Sequence, residues 1–280
     1  MNSKIYSYFK ITRPLNLVLG VGSIFLGAFI TGTIQPLQNI ILACISGGLV
    51  MAAGNVINDY FDVEIDRVNK PFRPLPSNNL KMNEALTFSI ILFVLGIFLS
   101  ILISTVAFFV VMGTTTGLIF YSSKLKRTIL FGNITVSFFT ALAFVYGGIA
   151  VERWQASLIP AGFALLFHLG REIIKDIEDQ KADASCAVQT LPIRFGQKAA
   201  FLITTIVFGL LIIFTFVPYI WGIYGKGYFW TVLIGVDMVV ILTLVFMWLK
   251  PFPQTLRYLS AILKADMFVG LLAIYFGNPI

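Results

Sequence analysis

Charge is scarce in this chain. Asp, Glu, Lys and Arg make up 12% of its 280 residues, against about 25% in an ordinary soluble domain, which excludes a water-facing surface of normal size. Histidine and cysteine are scarcer still. With one histidine, His168, no Ser-His-Asp or Cys-His arrangement is present for nucleophilic catalysis. The two cysteines, Cys44 in an apolar run and Cys186 in a polar loop, show no framework spacing and carry no redox information. A P-loop and an EF-hand loop are both missing. The pairs Gly47-Gly48 and Gly147-Gly148 lie in apolar runs, where they suit close helix packing better than phosphate binding. No stretch between the apolar runs is long enough for a separate soluble domain, so 1–280 reads as one polytopic domain.

Apolar residues are abundant: 58% of the chain is hydrophobic, 15% aromatic, and 27 residues are Phe. A hydrocarbon core about 30 Å thick needs about 20 mostly apolar helical residues to cross it. Nine runs qualify, at about 14–33, 37–58, 85–104, 106–123, 131–150, 157–175, 199–218, 228–249 and 261–277. They are too long for barrel strands, and backbone in lipid must satisfy its own hydrogen bonds. The expectation is an all-α membrane protein with nine transmembrane helices in a single bundle. Lys4, Lys10 and Arg13 precede a first run long enough to span, so it reads as a retained helix and not a cleaved signal.

On this topology Arg153 and Lys226 alone fall on one side, leaving 18 of the 20 basic residues on the other. The imbalance puts the N-terminus and the two long loops, about 59–84 and 176–198, in the cytoplasm. Most of the positive charge is thereby explained by topology. The acids are not, because Asp and Glu do little for orientation and are costly at a membrane boundary.

Nine of the 13 acids lie in two stretches that superpose. The first reads Asn55-x3-Asp59-x2-Asp62-x3-Asp66 and the second Glu172-x3-Asp176-x2-Asp179-x3-Asp183, at a constant offset of 117 residues. On a helix these positions fall within an arc of roughly 60°, so each cluster presents one oxygen-bearing stripe if the helix continues past the apolar run. A Leu-Pro pair follows each, Leu75-Pro76 and Leu191-Pro192. Four helices separate the copies, so both emerge on one side. Helices 1–4 and 5–8 thus form a parallel repeat that can face itself.

Carboxylates and Asn carbonyls are hard ligands. Mg²⁺ is typically held by one or two carboxylates, with substrate phosphates and water completing its octahedron. Two facing stripes therefore suit a magnesium–diphosphate, with Lys70, Arg73, Lys126, Arg127, Lys175 and Arg194 in neighbouring segments to add positive charge. An apolar bundle below would take a polyisoprenoid tail. Loss of diphosphate from an allylic carbon leaves a carbocation-like centre, so little acceptor activation is needed.

At these residues the chain resembles the UbiA-type intramembrane prenyltransferase superfamily. Its first signature, NDxxDxxxD, matches Asn58-Asp59-x2-Asp62-x3-Asp66, and its second, DxxxD, matches Asp179-x3-Asp183. The stretches Asn55–Ser77 and Gly170–Asp179 are most similar to digeranylgeranylglyceryl phosphate synthases. The resemblance implies Mg²⁺ as cofactor, geranylgeranyl diphosphate as donor, and a lipid-like acceptor bearing a glycerol hydroxyl and a phosphate. No obligate protein partner is implied. It also implies that Asn58, Asp62, Asp66, Asp179 and Asp183 hold the metal, with Asp59 and Asp176 as supports or further ligands. Relatives carry a Tyr and a Lys four residues apart after the fourth helix. Here Tyr121 is followed by Lys124 and Lys126, and Lys126, beside Arg127, is favoured as the diphosphate contact.

Among other polar residues, His168 reads as a hydrogen-bonded interior histidine. Arg171 suits either an acceptor phosphate or carboxylate, or a pairing with Glu172. Tyr146 suits the core at least as well as a pocket. Asp237 and Asp266 belong to no cluster and stay outside the expected site. An aromatic acceptor (a hydroxybenzoate, naphthoate or porphyrinoid) would leave the metal site unchanged. A transporter also fits the repeat, though transporter sites lie near the midplane on broken helices, not at helix ends.

Overall fold

Each apolar run forms a helix, because a backbone with no water around it closes its hydrogen bonds on itself. A computed structural model describes residues 3–185 and 188–277; Cys186 lies outside it, as do the side chains of Ser3, Asn69, Arg127, Lys181, Ala182 and Ser185. Among the described residues there is no strand. The elements are α1 (Ser3–Ile11), α2 (Pro14–Phe29), α3 (Leu37–Phe61), α4 (Val63–Asn69), α5 (Met82–Ile101), α6 (Thr105–Ser123), α7 (Phe131–Ala150), α8 (Leu158–Ser185), α9 (Leu191–Phe195), α10 (Gln197–Ile220), α11 (Lys226–Thr231), α12 (Met238–Leu249) and α13 (Pro253–Gly277).

Eight segments among the described residues are long and apolar enough to cross a membrane. The first apolar run differs from its expected bounds: α2 has 16 residues, about 24 Å, which is short of a bilayer. It forms a ninth candidate only with α1, across a 45° bend. Arg13 makes that bend in a left-handed conformation at φ 55°, and Pro14, with no backbone N–H to satisfy, opens α2. α11 and α12 join through a π turn at Val232–Asp237, so Lys226–Leu249 is a single span.

The outer faces are apolar. Ile90, Val94 and Phe98 form an exposed row on α5, as do Leu202, Ile206 and Leu210 on α10, a pattern that suits lipid and not water. Inside, one cluster gathers Ile24, Val50, Ala53, Phe93 and Tyr146, mostly from the first half of the chain. A larger one gathers Phe144, Phe163, Phe208, Leu211 and Leu263, mostly from the second. Tyr146 is a core residue, its hydroxyl 3.1 Å from Ser46 Oγ.

Helices α2 and α7 approach almost backbone to backbone. A Cβ on Gly147 would lie 1.9 Å from the Ile24 carbonyl oxygen, and one on Gly27 would lie 2.0 Å from that of Phe144. Glycine is required at both positions, as expected for packing glycines.

Candidate active site

The acidic stripes emerge at the same end of the bundle but on differently built backbones. α8 continues unbroken past its apolar part to Ser185, so Glu172, Asp176, Asp179 and Asp183 share one helix. The first stripe is interrupted. α3 ends at Phe61, Asp62 sits at the junction with φ −93° and ψ 1°, and α4 resumes at Val63. The Asp66 N–H still donates to the Asp62 carbonyl at 2.8 Å, which keeps the two acids on one side of the kink.

A cavity of about 550 Å³ opens between the stripes and runs into the bundle. Asn58, Asp62, Asp66, Asp176, Asp179 and Asp183 line it, as do Lys70, Arg73, Tyr121, Lys126, Arg171 and Lys175. Deeper down its walls become apolar, with Leu19, Phe139, Phe144, Phe163, Phe167 and Leu211.

Two expected residues stand elsewhere. Arg194 is exposed and does not line the cavity, because buried Leu191 and Pro192 anchor α9 and turn its next residues outward. Asp59 is buried behind the cavity wall, where it pairs with Arg13 and accepts from Arg73 Nη1 at 3.0 Å. The Arg127 side chain falls outside the described ones.

The first stripe carries its own cations. Arg73 Nη1 also donates to Asp66 Oδ2 at 2.5 Å. Lys126 pairs with Asp62 and lies 3.3 Å from Asn58 Oδ1, while Asn58 Nδ2 donates to Asp62 Oδ2 at 2.9 Å. Lys124 instead lies over the Phe120 ring. The second stripe is barer beyond Glu172, which pairs with Arg171 and Lys175. Asn133 Nδ2 donates to Asp176 Oδ2 at 2.7 Å, but Asp179 and Asp183 have no ion-pair or side-chain hydrogen-bond partner among the described residues. Burial, and then repulsion from Asp179, pushes the Asp183 carboxyl up to about 6. Burial raises Asp66 despite Arg73. Burial lowers Lys70, and the nearby Arg73 adds to that shift.

No three His, Cys, Asp or Glu among the described residues cluster tightly enough to hold an ion alone. That donor set suits Mg²⁺, which takes few protein carboxylates and relies on phosphate oxygens and water for the rest. The first wall offers Asp62 and Asp66 to the cavity, with the amide of Asn58 beside them, and the second offers Asp179 and Asp183 beyond the partnered Glu172 and Asp176.

Sequence reasoning missed several residues that share the cavity: Arg13, Asn16, Asn133, Lys264 and Asp266. Arg171 does pair with Glu172, at 2.9 Å, and it also lines the cavity. His168 lines it too, 3.7 Å from Glu172 Oε1, and its Nδ1 is buried without the hydrogen bond expected of an interior histidine.

The family model for the UbiA prenyltransferase family matches residues 20–268. The chain belongs to this family. A relative from Sulfurisphaera tokodaii, named digeranylgeranylglyceryl phosphate synthase, is 39% identical over 223 residues, covering 78% of this chain and 80% of that protein. A solved structure described as digeranylgeranylglyceryl phosphate synthase in membranes is similar at a TM-score of 0.80 and 35% identity, covering 98% of both chains. A UbiA homolog from Archaeoglobus fulgidus, solved bound to DMAPP and Mg²⁺, has the same fold at a TM-score of 0.67 and 16% identity, over 95% of this chain and 99% of that one. This UbiA prenyltransferase is therefore a multi-pass helical membrane protein.

Proposed function

We propose that the protein transfers a geranylgeranyl group from geranylgeranyl diphosphate to the glycerol hydroxyl of geranylgeranylglyceryl phosphate, in membrane ether-lipid synthesis. The observation that carries this reading is one cavity with facing acidic stripes at its polar end and aromatic and aliphatic walls below. The name of the S. tokodaii relative supports the acceptor, and the ligands of the A. fulgidus homolog support a prenyl diphosphate with Mg²⁺.

On this reading Asn58, Asp62 and Asp66 hold Mg²⁺ on one wall and Asp179 and Asp183 on the other. When bound, the metal neutralises the diphosphate and makes it a better leaving group. Lys126, Lys70 and Arg73 turn toward the phosphate oxygens, with Tyr121 at the same level. Asp59 and Asp176 hold the surrounding cations and amides in place. The apolar walls keep the tail extended and exclude water from the allylic carbon as its C–O bond breaks. The acceptor hydroxyl oxygen bonds to that carbon, its proton leaves to a base, and diphosphate departs.

The nine-span arrangement, with bent α1–α2 as the first, belongs to the same proposal. So do the parallel repeat, the single domain of 1–280, a cytoplasmic N-terminus and an active site on the cytoplasmic side. The excess of Lys and Arg at the motif end supports that orientation.

The test is product detection by mass with purified protein, Mg²⁺ and geranylgeranyl diphosphate. Geranylgeranylglyceryl phosphate is offered against a hydroxybenzoate and a naphthoate. Digeranylgeranylglyceryl phosphate should form with wild type and be lost in Asp62→Ala and Asp183→Ala. Aromatic product alone would overturn the acceptor, and absence of any transfer would overturn the reaction.

A further inference from the structure

Besides Lys70, and Arg73 and Lys126 on the first stripe's metal-facing acids, four further cations line the cavity. Arg13 comes from the corner before α2, Arg171 and Lys175 from α8, and Lys264 from α13. Lys264 feels the charges of the other three and of Glu172, so all five groups share one region. Arg171 Nε donates to the Ser260 carbonyl at 3.4 Å, one turn before Lys264, which ties α8 to α13 at this level.

Three of the cations have fixed counter-charges. Arg13 pairs with Asp59, while Arg171 and Lys175 share Glu172 at 2.9 Å each. Lys264 has no hydrogen-bond or ion-pair partner among the described residues. It nevertheless lies within the candidate span Pro253–Gly277, where a lysine is costly unless it faces a polar cavity and has work to do there. Three of these cations thus have a carboxylate partner and Lys264 has none among the described residues, which leaves it open to an anion from outside the chain. A phosphate monoester, which carries about −1.5 to −2 at neutral pH, would supply that anion.

Lys175 and Arg13 stand at the border with the metal-facing carboxylates, while Arg171 is set back from them. Arg171 precedes Asp179 by eight residues on one straight helix, about 12 Å along its axis, toward the apolar end of the cavity. One cavity therefore holds two anion-binding levels, an outer one with carboxylates for a metal-bound diphosphate and a deeper one where the cations Arg171 and Lys264 outnumber Glu172.

We propose that Lys264, with Arg171 and Arg13, is the subsite that recognises the phosphate monoester of the acceptor lipid. The inference rests on the transfer reaction proposed above and names the groups that select its acceptor. Lys264 is the specificity-determining member, since it alone lacks an internal partner and is left unpaired by an uncharged acceptor.

The experiment compares geranylgeranylglyceryl phosphate with its dephosphorylated form, geranylgeranylglycerol, for wild type, Lys264→Met and Lys264→Arg. Binding is measured by calorimetry without Mg²⁺, and turnover with it. Wild type should favour the phosphorylated lipid, and Lys264→Met should lower that preference about 10- to 100-fold, as expected for loss of a charged hydrogen bond. The loss should appear in acceptor Kd and KM, and Lys264→Arg should restore most of it. Thermal unfolding of each variant separates this from misfolding, which lowers binding of both lipids alike. Unchanged preference in folded Lys264→Met overturns the subsite, as does an equal rise in the KM of the donor. Lys264-dependent binding of the phosphorylated lipid without its prenylation keeps the subsite and overturns the proposed acceptor reaction. Prenylation with preference intact in Lys264→Met does the reverse.

Discussion

Replacing Gly147 with Ala tests whether the approach of α2 and α7 shapes the cavity. The new Cβ would start 1.9 Å from the Ile24 carbonyl oxygen and needs an ordinary contact of 3.4 Å, so the helices must part by about 1.5 Å. The obstruction is backbone, which no rotamer change relieves. Overpacking of this kind costs about 1–3 kcal/mol, and separation of a continuous interface belongs at the upper end. Gly113→Ala is the control. It is also inside a helix, but nothing lies within 4 Å of its Cβ, so the better helix propensity of Ala should stabilise by up to about 1 kcal/mol. The two variants should differ by about 2–4 kcal/mol, which for a chain of this size is about 4–16 °C in thermal unfolding in detergent. Activity should fall as well, because α7 carries Asn133, the partner of Asp176, and the cavity residues Phe139 and Phe144. Equal unfolding temperatures for Gly147→Ala and Gly113→Ala would refute the reasoning.

Lys126→Met should reduce kcat about 100-fold or more while Lys124→Met stays within a few-fold, since only Lys126 reaches Asp62 and Asn58; matched losses would place the contact elsewhere. Arg194→Ala should leave both KM values within about twofold, because its side chain points away from the cavity, and a large KM change would restore it to the site. The Asp183 carboxyl is raised to about 6, above its unfolded value, so its stabilising contribution is complete at low pH and is lost as pH rises through 6. Without Mg²⁺ the protein should therefore lose stability between about pH 4 and pH 6. Added Mg²⁺, which favours the ionised form, should raise the unfolding temperature more at pH 7 than at pH 5; a pH-independent increment would contradict this.

The spans and the two acidic stripes were legible in the sequence because each rests on spacing within one helix. Apolar length marks a span whatever it packs against, and the recurrence of Asp62-x3-Asp66 as Asp179-x3-Asp183 is visible without a fold. The break at Asp62 was not legible, since nothing in Tyr60-Phe61-Asp62-Val63 forbids a continuing helix. The bend at Arg13 hid behind Pro14, which begins a helix as well as it ends one. Arg13 and Lys264 read as topology charges, and Asp266 as an isolated acid, because only the packing of α13 against α2 and α8 brings them to one cavity. Arg194 erred the other way: a basic residue in the right loop whose direction was set by the burial of Leu191 and Pro192.

The cations seated on the first stripe have a consequence for the order of events. At rest Asp62, Asp66 and Asp59 do not present bare charge, because Lys126, Arg73 and Arg13 already occupy them. A free divalent ion must compete with counter-ions tethered in place, and it would leave an ammonium or guanidinium stranded in a half-buried pocket. Free diphosphate alone would meet carboxylates. Only the two together give every group a partner, with the lysine and arginine moving from carboxylate to phosphate. On the proposed reading the resting pairs thus act as a lock on the first stripe that opens to the complex and resists its separate parts, so among the described residues of the two stripes magnesium alone meets unpaired cavity carboxylates only at Asp179 and Asp183 until a substrate arrives.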